Sequence, residues 1–590
     1  MSGAVYHAAI LRTGSLVPVL WRALRGRQVA ILEVRAVFAP ARRMLQAVRD
    51  RLVAGGRATS HVDSFPGADR FAGGYGAQYH IHSFARVEPW IEARYGFEGL
   101  AVADPAYGMA IKHATCNHIA ARFMTLMLLR DLYQQLEPAR VRIIGADTEL
   151  ADLYAAHEGI PAPFSGRRGT LAAVLANTVT TALAVAYGLA WIARRTRRRW
   201  PPAQPVLLAA DVLPNERHLG LLREVIDDPA QLMLVFRSDA TGAAAGPTIT
   251  GASTCSQRDG KFSPSAALSA AGVVATHGLG LLRRYGAWPP VLFRRLAPMP
   301  FKRVMYRALW ARFRPQHFLG RDDYNADHII RSQELRRLGA QALGINHGLP
   351  VPEIINYAWR YIDFDVYFVF GKALHDRHYK RTWAPAMRVE AIGIWAMSRA
   401  QRMRLGSGTS RDILFFPNLS LFEDRIFDQV CRIAEAFPDR RLLVKLKATR
   451  KADGYFSPLA EKIRRGPANL AETEEDSYDL MTRAAYALTN DGTTIAAEAV
   501  QLGLATFVFD MDRNSPSYYR EFPGLCVADG NEVIARIRAI EAGRETYPRE
   551  NFAGLIDLSG RDPFDVIRAS MGLPPSAVAD LPVAAQAVGA

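Results

Sequence analysis

The stretch at 486–510, YALTNDGTTIAAEAVQLGLATFVFD, reads as strand, tight turn, helix and strand. Tyr486-Ala487-Leu488-Thr489 is a short apolar run suited to a buried sheet. Asn490-Asp491-Gly492 is turn chemistry, because these residue types tolerate positive φ and sharp reversals. Thr493-Thr494 open a helix in which Ile495, Ala496, Ala499, Val500 and Leu502 recur at helical spacing. Gly503 suits the left-handed position that closes a helix. Residues 505–509 form a second buried strand. Such a unit sets backbone amides at a helix start beside the carboxyl end of a strand, where α/β folds hold phosphorylated ligands. An ordinary βαβ unit without a ligand has the same spacing.

The same alternation surrounds this stretch. Strands at 413–416, 442–446 and 525–528 alternate with helices at 423–436, 458–464, 476–485 and 531–542. Strands alternating with helices imply a parallel sheet covered on both faces. Upstream, a linker marked by Pro201, Pro202 and Pro205 leads into a second alternating region. Its strands fall at 206–211, 232–236, 341–345 and 366–370, with a helix at 218–226. Residues 237–262, rich in Gly, Ala, Ser and Thr, read as a flexible loop, and two helical patterns follow before Arg321. The first 165 residues hold a further α/β unit, with strands at 29–34 and 141–145 and helices at 40–52 and 148–157. Residues 63–82 read as loop, and 575–590 as a disordered tail.

Residues 170–193 run for 24 positions without a charge, and Arg194, Arg195, Arg197, Arg198 and Arg199 follow at once. Length and basic flank meet the rule for a spanning helix. Eight of the residues are alanine and Asn177, Thr178, Thr180 and Thr181 are polar, while Leu171, Leu175, Val179, Leu183 and Leu189 fall roughly on one face. That pattern also fits a helix lying in the interface, or one buried between domains. A true span would place the flanking domains on opposite sides of the membrane. That favours surface attachment.

The chain has 590 residues, 73 Lys and Arg against 57 Asp and Glu, and a net charge of +16. That surplus points to an anionic partner. The arginines are scattered singly and no nucleic-acid motif accompanies them, so no nucleic-acid partner is expected. The four cysteines, Cys116, Cys255, Cys431 and Cys526, make neither a zinc pattern nor a disulfide framework, which fits a reducing compartment. The first residues lack the pattern of a secretory signal.

Four clusters carry possible chemistry. In Arg321-Asp322-Asp323-Tyr324-Asn325-Ala326-Asp327-His328, Asp323 could be a general base or a helix cap. In Gly344-Ile345-Asn346-His347-Gly348-Leu349-Pro350, His347 stands where a strand exits, with a pKa range suited to base chemistry or phosphate contact. Lys445 and Lys447 share one side of a strand, and a buried cation there needs an anionic partner. In the opening unit, Asp491, Gly492, Thr493 and Thr494 could bind phosphate and Glu498 could accept from ribose hydroxyls, or Asp491 could simply cap the helix. Asp510-Met511-Asp512 spells DxD, but it follows a buried strand and reads as a polar strand end.

Together these motifs resemble those of GT-B type glycosyltransferases of bacterial surface-carbohydrate synthesis, including the CDP-glycerol glycerophosphotransferase-like group. The resemblance covers about residues 315–530. Asn346-His347-Gly348-Leu349-Pro350 is similar to the family's His-Gly turn, and Val444-Lys445-Leu446-Lys447 to its basic strand. Thr489–Thr494, followed by Glu498-Ala499 and Gly503, is similar to its Thr/Ser-Asp-x-Ser-Ser segment and the helix after it. Threonines replace the family's serines, Asn490 and Gly492 alter the turn, and the usual His-Pro after Lys445 is missing.

The resemblance implies a GT-B-like α/β fold with two Rossmann-like domains facing a cleft. The acceptor domain would span 201–405 and the nucleotide-donor domain 406–574, after an N-terminal α/β region at 1–168 and a hydrophobic helix at 169–200. It also implies donor phosphate on Lys445, Thr493 and Thr494, ribose on Glu498, and His347 or Asp323 at the acceptor. No metal or cofactor is implied, only a nucleotide-activated sugar as co-substrate. The expected activity is glycosyl transfer to a lipid-linked or growing glycan of capsule or lipopolysaccharide. The expected place is the cytoplasmic face of the inner membrane, against its anionic surface. The alternatives are a CDP-glycerol-type polyol-phosphate transferase, a non-catalytic glycan-assembly protein and a sugar-nucleotide epimerase.

Overall fold

The computed structural model describes residues 5–27, 29–36, 39–60, 80–136, 141–166, 170–197, 205–211, 216–237, 249–321, 325–346, 348–349, 359–405, 411–417, 423–446, 457–490, 493–510 and 518–576. The chain forms two compact units, each described by itself. One comprises 1–202, 260–312 and 325–334, and the other comprises 203–259, 313–324 and 335–590.

The first unit holds a parallel sheet of β1 (Tyr6–Leu11), β2 (Val29–Val34), β3 (Ala58–Ser60) and β4 (Val141–Ile144), in the order β3-β2-β1-β4. Its apolar core joins Ala9, Leu11, Val19, Val29, Ile31 and Leu45. At the carboxyl edge, charge closes on charge. The Arg122 guanidinium, 1 % exposed, donates to Asp147 at 2.8 Å and to Glu149 at 2.6 Å. Arg35 donates to Asp147 at 3.1 Å and to Glu149 at 3.4 Å, while His118 bonds Glu149 at 2.9 Å. Burial pushes the Glu149 carboxyl up, but His118, Arg122 and Arg35 together hold it well below the usual range. The helix Thr170–Arg197 belongs to this unit, packed antiparallel to Pro264–Tyr285. Residues 264–313 form three helices, Pro264–Tyr285, Pro290–Leu296 and Met299–Phe313, where the sequence predicts two.

The second unit holds two parallel sheets. The first has β5 (Leu208–Asp211), β6 (Leu232–Phe236), β7 (Ser253–Ser256), β8 (His317–Gly320), β9 (Gln341–Ile345), β10 (Val366–Val369) and β11 (Arg388–Ala391), ordered β11-β10-β9-β8-β5-β6-β7. The second has β12 (Ile413–Phe416), β13 (Leu442–Val444), β14 (Leu470–Glu472), β15 (Tyr486–Asn490), β16 (Ala505–Phe509) and β17 (Cys526–Val527), ordered β14-β13-β12-β15-β16-β17. Counted within each sheet, both orders contain 3-2-1-4-5-6, the doubly wound Rossmann order, so the GT-B-like α/β class holds in the topology itself. β7 lies inside the stretch read as a flexible loop. Its polar Ser253-Thr254-Cys255-Ser256 gives no apolar signal, because an edge strand half-exposed to water does not need one.

The inner strands are buried on both faces, as parallel sheets require, and the edge strands are partly open. The chain crosses from the first sheet to the second through Arg399–Met403. It returns at its end, where Pro563–Ser570 packs on Glu216–Val225. Arg568 donates to both Asp227 oxygens, at 2.9 and 2.8 Å, and to the Val225 carbonyl at 3.0 Å. Arg399 donates to Asp562 at 2.9 Å and Asp565 at 2.7 Å, and reaches Glu224 at 3.4 Å, so it binds the outgoing crossing to the returning one.

Candidate functional site

In the second sheet the strand order reverses between β12 and β15. A doubly wound sheet opens a crevice at that point, outside the carboxyl ends of its strands. The turn after β15 therefore stands at the switch point. Thr489 Oγ1 donates to the Phe416 carbonyl at 2.9 Å, which ties the two strand ends together. The helix starts at Ile495 and ends at Gln501, two residues later than the sequence predicts, with Thr494 as its N-cap. Asp491 and Gly492 lie outside the described residues.

Thr494 does not cap the helix with its side chain. Its Oγ1 accepts instead from the Leu349 amide at 3.0 Å. Leu349 belongs to the turn that leaves β9 in the first sheet, so the exit turns of the two sheets touch here. That turn is set by Asn346, which is fully buried. Asn346 Nδ2 donates to the Tyr367 hydroxyl at 2.8 Å, and its Oδ1 accepts from the Gly348 amide at 2.9 Å. The Asn346 carbonyl accepts from the Trp395 indole at 2.9 Å. A Cβ at Gly348 would come within 3.2 Å of Thr494 Oγ1, so the approach requires glycine or a shift of the threonine. His347 itself, and Asp323 beyond β8, lie outside the described residues.

Thr493 is half-buried. Its hydroxyl accepts from the Ile495 amide at 3.4 Å, and its carbonyl accepts from the Tyr519 hydroxyl. Lys445 follows β13 directly at the same edge of the sheet. Its backbone amide donates to Phe415, and its ammonium donates to the Glu474 carbonyl at 2.9 Å. A backbone carbonyl is thus the partner that the strand position demands. Lys447 lies outside the described residues.

Glu498 is 5 % exposed and accepts from the Tyr478 hydroxyl at 3.2 Å. Burial raises its pKa, and the charge of Arg217 opposes the rise. The Arg217 guanidinium lies over the Tyr478 ring at 5.3 Å. This Arg217–Tyr478–Glu498 chain again joins the two halves of the unit. Sequence reasoning missed Arg217 and Tyr478, since neither sits in a motif. The only signal was Asp476, whose carboxylate caps Ser477–Met481 and fixes Tyr478.

Gln501 completes the seam. Its Oε1 accepts from the Ile394 amide at 2.8 Å, over Gly393 at φ +62°. Asp510, at the end of β16, pairs with Arg520 at 2.6 Å, while Met511 and Asp512 lie outside the described residues. Among the described residues no three His, Cys, Asp or Glu side chains gather as a metal site.

Among the described residues the site is thus a crevice edge of short neutral side chains and backbone amides, with Lys445 beside it and the buried Glu498 behind it. No family model and no curated protein matches the chain. Among solved structures the chain is similar to the UDP-GlcNAc 2-epimerase of Neisseria meningitidis bound to UDP-GlcNAc, at 12 % identity and a TM-score of 0.36, covering 62 % of this chain and 97 % of that one. It is similar to the spinosyn rhamnosyltransferase SpnG at 14 % identity and a TM-score of 0.34, covering 62 % and 100 %. It is likewise similar to the calicheamicin glycosyltransferase CalG4 at 14 % identity and a TM-score of 0.36, covering 63 % and 98 %.

Proposed function

We propose that the chain is a glycosyltransferase that moves a sugar from a nucleotide-activated donor to a lipid-linked or growing surface glycan, as in capsule or lipopolysaccharide synthesis. The observation that carries the reading is the Leu349–Thr494 bond. It brings the exit turn of one Rossmann-order sheet onto the switch-point turn of another, where a nucleotide diphosphate has amides and hydroxyls to meet. In this reading Asp491, Gly492, Thr493 and Thr494 cradle the diphosphate. Lys445 releases its carbonyl partner for the stronger charge-assisted bond to phosphate. Glu498, oriented by Tyr478, takes the ribose hydroxyls. His347 deprotonates the acceptor hydroxyl, with Asp323 as the other candidate base.

The test is nucleotide release from a panel of UDP-, CDP-, GDP- and dTDP-sugars and CDP-glycerol, with calorimetry alongside. We expect release with one nucleotide sugar. His347→Ala and Lys445→Ala should each lower turnover by roughly 100-fold in a folded protein. Release from CDP-glycerol alone would move the reading to polyol-phosphate transfer. Sugar inversion without release would move it to epimerisation. Neither release nor binding with any donor would leave the non-catalytic assembly role.

A further inference from the structure

The helix Thr170–Arg197 is polarised the wrong way for water. Its packed face carries Asn177, Thr180 and Thr181, at 0, 8 and 3 % exposure, together with Ala173, Gly188 and Trp191. Its open face carries Leu171, Leu175, Val179, Leu183 and Tyr187, with Leu171 at 74 % and Leu175 at 60 % exposure. A surface helix in water shows the reverse arrangement. The inward amide and hydroxyl donors are paired. Asn177 donates to the carbonyls of Gly286 and Trp288, both at 2.9 Å, and Thr181 donates to the Asn177 carbonyl at 2.9 Å.

The partner helix Pro264–Tyr285 continues the same surface. It packs antiparallel through small residues, with Gly188 against Val274 and Gly278 against Val185. It turns outward Leu268 at 78 % and Leu279 at 60 % exposure. From Pro264 to Leu282 it has no Asp, Glu, Lys or Arg. The open threonines need no water. Thr178 donates to the Val174 carbonyl at 2.8 Å, and Thr276 to the Gly272 carbonyl at 2.7 Å.

Cations stand at both ends of this pair. Arg194 and Arg197 close one helix, and Arg283 and Arg284 close the other, all exposed. Antiparallel packing therefore sets basic groups at opposite ends of one apolar surface. A spanning pair would instead gather its cations on one side of the bilayer. The packed face also stays against the rest of its unit along its length. Asn177 bonds the 286–288 turn near one end, and Trp191 packs edge-on against Phe262 and Phe301 near the other. At 1.5 Å per residue the longer helix measures about 42 Å, more than a hydrocarbon core of about 30 Å.

We infer that the open face of these two helices lies flat in one leaflet of a bilayer, with the terminal arginines on anionic headgroups. The inference does not depend on the donor chemistry, since its readout involves no turnover.

The experiment is flotation of the full chain with vesicles of 70:30 phosphatidylcholine:phosphatidylglycerol and of phosphatidylcholine alone, followed by alkaline carbonate extraction. We expect flotation with the anionic vesicles, weakened by salt and by at least tenfold on neutral ones, and release by carbonate. Leu175→Glu/Leu183→Glu/Leu279→Glu should abolish flotation without lowering the melting temperature, because all three side chains point away from the fold. Arg194→Gln/Arg197→Gln/Arg283→Gln should remove the preference for anionic lipid. Three results would overturn the inference. One is a monodisperse monomer that binds neither vesicle. Another is a dimer in light scattering that the triple glutamate variant dissociates. The last is resistance to carbonate, which marks a span.

Discussion

Two parallel sheets in this chain share the strand order 3-2-1-4 and have opposite contents at their carboxyl edges. The carboxyl edge of the β3-β2-β1-β4 sheet is filled by Arg35, Arg122, Asp147, Glu149 and His118, which pair among themselves. The carboxyl edge at β12 and β15 offers Thr493 and Thr494, and Glu498 behind them is turned back onto Tyr478. Topology alone supplies a crevice in both places. Whether a ligand can use it depends on whether charge within the fold has already filled it.

The largest expected effect tests the closed edge. Arg122→Leu should cost about 3–5 kcal/mol in urea unfolding, because it leaves Asp147 and Glu149 buried with less compensation. A loss below about 1 kcal/mol would mean that the edge is not held by its ions. Next, Thr494→Val removes the acceptor of the Leu349 amide. It should cost about 1–3 kcal/mol for an unpaired buried donor and weaken nucleotide binding about tenfold. Lost stability with unchanged binding would make the seam purely structural.

The two buried glutamates should then respond to pH with opposite signs. Glu149 has a lowered pKa, so its contribution is present above 4.5 and is lost as pH falls. Glu498 has a raised pKa, so its contribution is present below 4.5 and is lost as pH rises through the raised value. In melting curves from pH 3 to 8, Glu149→Gln should flatten the acid limb and Glu498→Gln the alkaline one. Shifts in the same direction would erase the distinction. The smallest effect is Tyr478→Phe, about 0.5–1.5 kcal/mol for one hydrogen bond. It should come with a weaker affinity for any ribose-bearing ligand, read by calorimetry.

Five apolar strands were legible in the sequence to the residue, whereas the equally apolar inner strand Tyr6–Leu11 was missed. Val29–Val34, Leu232–Phe236, Gln341–Ile345, Ile413–Phe416 and Ala505–Phe509 form where the runs predict them. Edge and short strands were not. Leu470-Ala471-Glu472 and Ser253–Ser256 lack an apolar run, and His317–Gly320 is too short to stand out. The turn at Thr493-Thr494 was legible because Asn, Asp and Gly announce it. Its partner, the Leu349 amide 145 residues away, was not, since backbone groups carry no sequence signal. The apolar face of Thr170–Arg197 was legible in the spacing of Leu171, Leu175, Val179 and Leu183, but that this face is the open one was not. Composition says that a helix is apolar, but only packing says which side is covered.

The crossing at Arg399 has a mechanical consequence. The two sheets of the second unit are joined by two stretches of chain, and Arg399 holds the outgoing stretch against Asp562 and Asp565 of the returning one. The same two sheets are also fastened at their exit turns by Leu349 to Thr494 and Ile394 to Gln501. Any displacement of one sheet against the other must therefore strain the ion cluster at the crossing and the hydrogen bonds of the seam together.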